Sequence, residues 1–277
     1  MDGILKSAIE VFNWCLSYIK EFLTMSPEYM FDGKVWAVVK VLHTAILPVS
    51  YAMIVCWFLW GIISSVSSLK EFKSLEHVFG LLLRLALTKW LVESSLTIIL
   101  FVSDVVLQII KALQTTMYGD PTIVLGLPDD ALAQSLQINV FSDIGAWVLI
   151  LILSIIFLLV SIGTGLSLLM ITIGRFYKLF LYAAVSPIPL SSFASGDPQI
   201  GGISKQFLKS FMGVCMQAAV IYLALIIYPA FFSPMQANLF PVSNLLISYI
   251  CKALFAQVLL LVVVKGSDQI VKEFGFG

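Results

Sequence analysis

Four charged side chains, Arg84, Lys89, Glu93 and Asp104, lie inside long apolar runs. A charge at membrane depth costs at least about 2.5 kcal/mol on insertion scales and usually faces a bundle interior or a watery cavity. Such groups serve ion pairs, proton relays or polar paths rather than bond-breaking chemistry. Lys89 and Glu93 are four apart, the spacing at which two side chains meet on one helical face. Arg84 and Lys89 can also reach a cytoplasmic surface by their long stems, with Glu93 neutralising one of them. On a continuous helix Asp104 lies about 16 Å beyond Glu93 at 1.5 Å per residue. It is therefore expected well inside the membrane, at a simple polar contact, in the bundle interior or at a subunit interface. The residue patterns of catalysis are missing. The chain has no Walker-type loop, no nucleophile elbow and no His-containing metal cluster. The two histidines, His43 and His77, fall near membrane boundaries. No enzymatic activity, metal or cofactor is expected, and any energy used must come from another protein.

A second group of residues is conformational. Gly174, Arg175 and Lys178 close a long apolar run, a short apolar piece follows, and Pro187, Ile188 and Pro189 interrupt it ahead of Gly196, Gly201 and Gly202. Proline lacks a backbone donor and pushes its predecessor out of helical geometry, so Ser186 to Pro189 is not expected to be ordinary helix. In hydrocarbon, non-helical backbone survives only where it is buried in protein or faces water. Residues 176–193 are therefore read as a half-helix or re-entrant segment around which the rest is packed. Two roles stay open: a kinked hairpin that turns the chain, or a broken helix offering backbone groups to an internal path or a partner, as in transporters.

The surroundings are those of an integral membrane protein. Of 277 residues, 60% are hydrophobic and 12% charged, and mean hydropathy is +1.02; soluble domains carry about a quarter charged residues. Net charge is zero, without a basic cluster long enough to mark nucleic-acid binding. Cys15, Cys56, Cys215 and Cys251 lie far apart and read as small hydrophobes. No cleaved signal peptide is expected.

The predicted fold is all-α, a polytopic membrane helix bundle. It has about five transmembrane helices, a proline-broken re-entrant or short sixth segment, and an N-terminal amphipathic helix. Residues 1–33 form the amphipathic segment: Lys6, Glu10, Asn13, Ser17, Lys20 and Thr24 mark a polar stripe at helical spacing, expected to lie along the membrane surface or on a partner. Residues 34–113 hold the first two membrane helices, Thr44 to Val66 and a long one from His77 to Leu113. Residues 114–144 are a polar connection without Lys or Arg, as an extracytoplasmic loop should be. Residues 145–277 form the C-terminal membrane bundle, with spans at Gly145 to Ile173, Phe207 to Phe232 and Val242 to Val264, and a turn from Pro234 to Pro241. Ser161, Gly163 and Gly165 offer a small-residue face for close helix approach, and Gln217 is expected to hydrogen-bond a neighbouring helix.

Topology depends on residues 176–193. If they re-enter and leave on one side, Lys70, Lys73, Arg175, Lys178, Lys205, Lys209, Lys265 and Lys272 share that side, in keeping with the positive-inside rule. The expected arrangement has the N-terminus outside and the C-terminus in the cytoplasm.

Gly174-Arg175, Leu179, Leu181, Pro187-Ile188-Pro189, Phe207-Leu208-Lys209-Ser210 and Gln217-Ala218 together resemble the TrbL family of conjugal transfer proteins, in the version carried by integrative and conjugative elements of Gram-positive bacteria. Lys178 departs from the family pattern, which often has an acid there. The resemblance implies a multi-pass subunit of the bacterial cytoplasmic membrane, part of a type IV secretion machine. It also implies work with a secretion ATPase and other secretion subunits, self-association as a homo-oligomer, contact with membrane lipid, and transient contact with single-stranded DNA. The activity implied is passage of a relaxase-bound DNA strand through a channel, without enzymatic activity. Two other classes of function are compatible with hydropathy alone. One is a secondary transporter or permease with a midplane site at the broken helix, although only one clear break and no internal repeat are seen. The other is an assembly or immunity factor without a conduit.

Overall fold

The computed structural model describes residues 2–66, 75–116, 144–238 and 245–276, and every regular element among them is helical. Helix α1 spans Asp2–Thr24. Its apolar stripe, including Leu5, Phe12, Leu16, Ile19 and Leu23, is buried while Lys6 and Glu10 are exposed. The stripe was expected on a membrane surface or a partner, but the chain itself covers it. Phe12 and Cys15 lie against Gly165, where an added Cβ would stand 3.0 Å from the Cys15 sulfur. A glycine at that position lets the two helices approach closely.

Helix α2 spans Lys34–Val66. It begins well before the expected Thr44 and runs through Pro48, because Trp36, Val39 and His43 extend its buried face toward the N-terminus. The single long helix expected from His77 to Leu113 is two: α3, Leu75–Glu93, and α4, Ser95–Thr116. Ser94 separates them, though its N–H still donates to the Trp90 carbonyl at 2.9 Å and its own carbonyl accepts from Ile98 at 3.0 Å. Of the two, α4 alone is long and apolar enough to cross a membrane; α3 carries Arg84, Lys89 and Glu93.

Helix α5 spans Ile144–Val185. The expected end at Ile173 is not seen, because the buried positions Leu179, Phe180, Ala183 and Ala184 continue the apolar face past Arg175 and Lys178. Then come α6, Pro187–Ser191, a 3-10 turn at Ser192–Ser195, α7, Pro198–Asn238, and α8, Leu245–Val271. Gly201, Gly202 and Pro234 lie within α7 rather than in the loop and turn expected for them. Most of the predicted extracytoplasmic loop, together with Lys70 and Lys73, falls outside the described residues.

Among the described residues, five segments are long and apolar enough to cross a membrane: Met30–Ser64, Ser95–Thr115, Val148–Val185, Ile200–Pro229 and Ile247–Gly275. The chain divides into two compact units. One comprises Met1–Thr24, Ile110–Gly174 and Ala218–Ser267; the other comprises Met25–Ile109, Arg175–Gln217 and Asp268–Gly277. The proline motif belongs to the second.

Candidate functional site

The end of α5 and the start of α7 run side by side in opposite directions. The Tyr182 ring lies 5.5 Å from Phe207 and 6.4 Å from Phe211. Farther down, Arg175 Nη1 donates to the Cys215 carbonyl at 3.5 Å. The chain that leaves at Arg175 therefore returns at Cys215, and the Pro187–Pro189 motif forms the head of a helical hairpin.

Ser186 corrects the sequence expectation directly. Its φ of −48° and ψ of −34° stay in the right-handed helical region although a proline follows. What the prolines break is the hydrogen-bond ladder, and serines repair it. Pro187 has no N–H for the Ala183 carbonyl, and the Ser186 hydroxyl donates to that oxygen instead at 2.9 Å. The Pro189 carbonyl accepts from Ser192 at 2.8 Å and from Ser204 at 3.0 Å, and these two hydroxyls lie 2.6 Å apart. Ser191 donates to the Ile188 carbonyl at 2.6 Å. Serine hydroxyls thus hold the Ala183, Ile188 and Pro189 carbonyls within the chain.

The hairpin head is packed rather than open. Leu190 and Ala194 form a buried cluster with Ile54 of α2 and Val92 of α3. Gly61 lies so close to the Ser195 carbonyl that any Cβ there would collide with it, and Gly196, at φ +71°, has the Arg84 guanidinium against its Cα. The four predicted intramembrane charges are not gathered together. Arg84 caps the turn, and Lys89 pairs with Glu93 at 3.8 Å as their spacing predicts. The Tyr51 hydroxyl also donates to Glu93, at 3.1 Å. Asp104 stands on the exposed face of α4, without a side-chain partner among the described residues. His43, expected at a boundary, is buried with Nε2 2.7 Å from the Ser95 hydroxyl. Since that hydroxyl donates to the Val92 carbonyl at 2.8 Å, the imidazole is the donor.

Arg175 is buried at 4% exposure, without an acid beside it among the described residues. Its Cζ sits 4.0 Å above the Phe176 ring, and Nε has no hydrogen-bond partner among the described residues. Gly174 has open space around it, so packing does not require glycine there. Gln217 is buried, Ile188 half-buried and Lys209 exposed. In the other unit, the small-residue face is used inside the chain. Gly165 receives α1, and Ser161 exchanges hydrogen bonds with Gln257 of α8 at 3.1 Å.

Beside the hairpin, α5, α7 and the end of α8 enclose a groove of about 640 Å³. Lys178, Tyr182, Phe207 and Ser210 line it, with Asp268 and Lys272 joined at 3.1 Å. That pair leaves Lys178 without an acid among the described residues, and the groove carries a positive charge beside apolar walls. The sequence named Ser186, His43, Lys178, Phe207 and Ser210, but not Ser191, Ser192 and Ser195 of the turn, the bond of His43 to Ser95 or the groove that Lys178, Phe207 and Ser210 share. The crowding of Ser186, Ser191, Ser192 and Ser195 around two prolines is the signal that marks the first. No group of three or more His, Cys, Asp or Glu side chains among the described residues can hold a metal ion.

A family model described as TrbL/VirB6 plasmid conjugal transfer like protein matches residues 13–187, from within α1 to the first residue of α6. The chain belongs to this family. The match includes Gly174, Arg175 and Pro187, and it stops short of the Phe207–Gln217 part of the resemblance. No curated protein and no solved structure matches the chain. A TrbL/VirB6-like chain with five helices able to cross a membrane is a multi-pass membrane subunit of a conjugal transfer, or type IV secretion, apparatus. The family is one of structural subunits of that apparatus, working in a complex with others.

Proposed function

We propose that this chain is a channel-forming subunit, through which a relaxase-bound DNA strand crosses the bacterial cytoplasmic membrane with a secretion ATPase and other subunits. It acts without catalysis of its own. The observation that carries this reading is the hairpin head. Serines hold three of its carbonyls and α2 and α3 pack its apolar residues, so it acts as a rigid brace and not as a substrate pocket. A transporter with a midplane site at the prolines needs free backbone groups there, and serine hydroxyls hold the Ala183, Ile188 and Pro189 carbonyls. The Arg175–Cys215 contact supports a segment 176–193 that returns to its own side. Five crossings then place the N-terminus outside and the C-terminus in the cytoplasm. Lys178, Lys205, Lys209, Lys265 and Lys272 collect on the cytoplasmic side, as the positive-inside rule requires. The basic groove is the surface on that side that an acidic segment of the ATPase or another subunit fits, and copies of the chain surround the path.

The test is cross-linking of the chain to the transferring strand in donor cells. A cross-link that forms with an active secretion ATPase and disappears with an inactive one is the expected result. Normal transfer without any cross-link would leave a scaffold or assembly factor as the better description.

A further inference from the structure

Helix α4 is apolar in sequence yet carries a polar stripe on its outward face. Thr97, Asp104, Gln108, Lys111 and Thr115 follow at steps of seven, four, three and four residues. At 3.6 residues per turn they share one face, and all five are exposed. Ile99, Ser103, Val106 and Ile110 are buried on the opposite face. Asp104, Gln108 and Lys111 make no side-chain hydrogen bond or ion pair among the described residues. Asp104 lies at the middle of the crossing segment Ser95–Thr115, about 14 Å from Ser95 along the helix. Its side chain is far too short to reach either surface.

A carboxylate at that depth is not left in lipid. Nor does the same stripe of a second copy cover it. Copies inserted alike lie parallel, and contact in register would set Asp104 on Asp104 and Lys111 on Lys111, like charge on like. Water hydrates acid, amide and amine alike and needs no complementary register.

We propose that α4 lines a water-filled passage across the membrane, with Asp104 and Gln108 facing the water at mid-depth. This rests on the channel function proposed above and names the helix that walls the channel.

The test uses the full-length protein within the complete transfer apparatus, with Cys15, Cys56, Cys215 and Cys251 replaced by alanine. Single cysteines are placed by Asp104→Cys and Gln108→Cys on the stripe, and by Val105→Cys and Ile109→Cys beside it. A membrane-impermeant maleimide reacts with the thiolate, which forms where water reaches, so the stripe should label about tenfold faster than its neighbours. If Asp104→Cys fails to accumulate, Thr97→Cys takes its place. Equal rates at all positions overturn the proposal. Protection of the stripe that lifts when the other subunits are removed also overturns it, and identifies a partner helix as the cover. Strand cross-linking separates the two claims. A labelled stripe without a strand cross-link keeps the passage and removes DNA as its cargo; a cross-linked strand with a protected stripe keeps the channel and removes α4 as its wall.

Discussion

Arg175 is the residue whose burial is hardest to justify on stability alone. An ion buried without a partner of opposite charge gains little from its surroundings, and replacing buried ionic groups by apolar ones of similar volume is often neutral or stabilising by about 1–4 kcal/mol. Here the compensation is one long bond to the Cys215 carbonyl and the face of Phe176, with Nε left over. Arg175→Met is therefore expected to leave thermal unfolding in detergent unchanged or shifted upward while transfer frequency falls sharply. A collapsed fold in Arg175→Met would show instead that the guanidinium is a structural pin between α5 and α7. Arg175 stood out in the sequence because it closes an apolar run. Its lack of an acid did not, since Cys215 is forty positions away and a backbone carbonyl leaves no mark on residue type.

At the scale of elements, the sequence made the helical class, the number of crossing segments and the amphipathic nature of α1 legible, because periodicity and run length depend on local residues. What covers α1 was not legible, since an apolar stripe reads the same whether lipid, a partner or the chain's own helix lies over it. Nor was the continuity of α5 past Arg175 and Lys178. Two charges look like a boundary in a hydropathy profile, yet Leu179, Phe180, Ala183 and Ala184 keep the buried face in phase through them. The prolines misled for a related reason: the bias they impose on the preceding residue is overridden when Ser186 takes up the freed carbonyl. The docking of α1 can be tested through Cys15. Burial pushes its thiol above the ordinary range, so at neutral pH it holds less of the reactive thiolate than a free cysteine does. Gly165→Leu drives a side chain into Cys15 and Phe12 and should cost about 1–3 kcal/mol by overpacking. Labelling of Cys15 should then accelerate, on a background with the other three cysteines replaced. Rapid labelling of Cys15 with Gly165 intact would mean that α1 does not stay docked.

For the whole molecule, the decisive quantity is which side of the membrane the two ends of the broken segment occupy. If residues 176–193 re-enter, as proposed above, they add no crossing of their own, and the five apolar segments found among the described residues give an odd number of crossings. That arrangement places Lys205 and the C-terminal tail on one side, where the excess of lysine belongs. Ser204 and Ser267 are buried and would report packing rather than sidedness. Lys205 and Glu273 are exposed and make better probes. With native cysteines replaced, Lys205→Cys and Glu273→Cys are expected to resist an impermeant maleimide in intact cells and to react in inverted vesicles. Reaction of Lys205→Cys from outside would mean that residues 176–193 cross after all. The chain would then have six crossings, the basic groove would lose its cytoplasmic lysines, and an ATPase could not dock there. Agreement at both positions would place the hairpin head, the groove and the polar tail together on the face where the energy-supplying partner must bind.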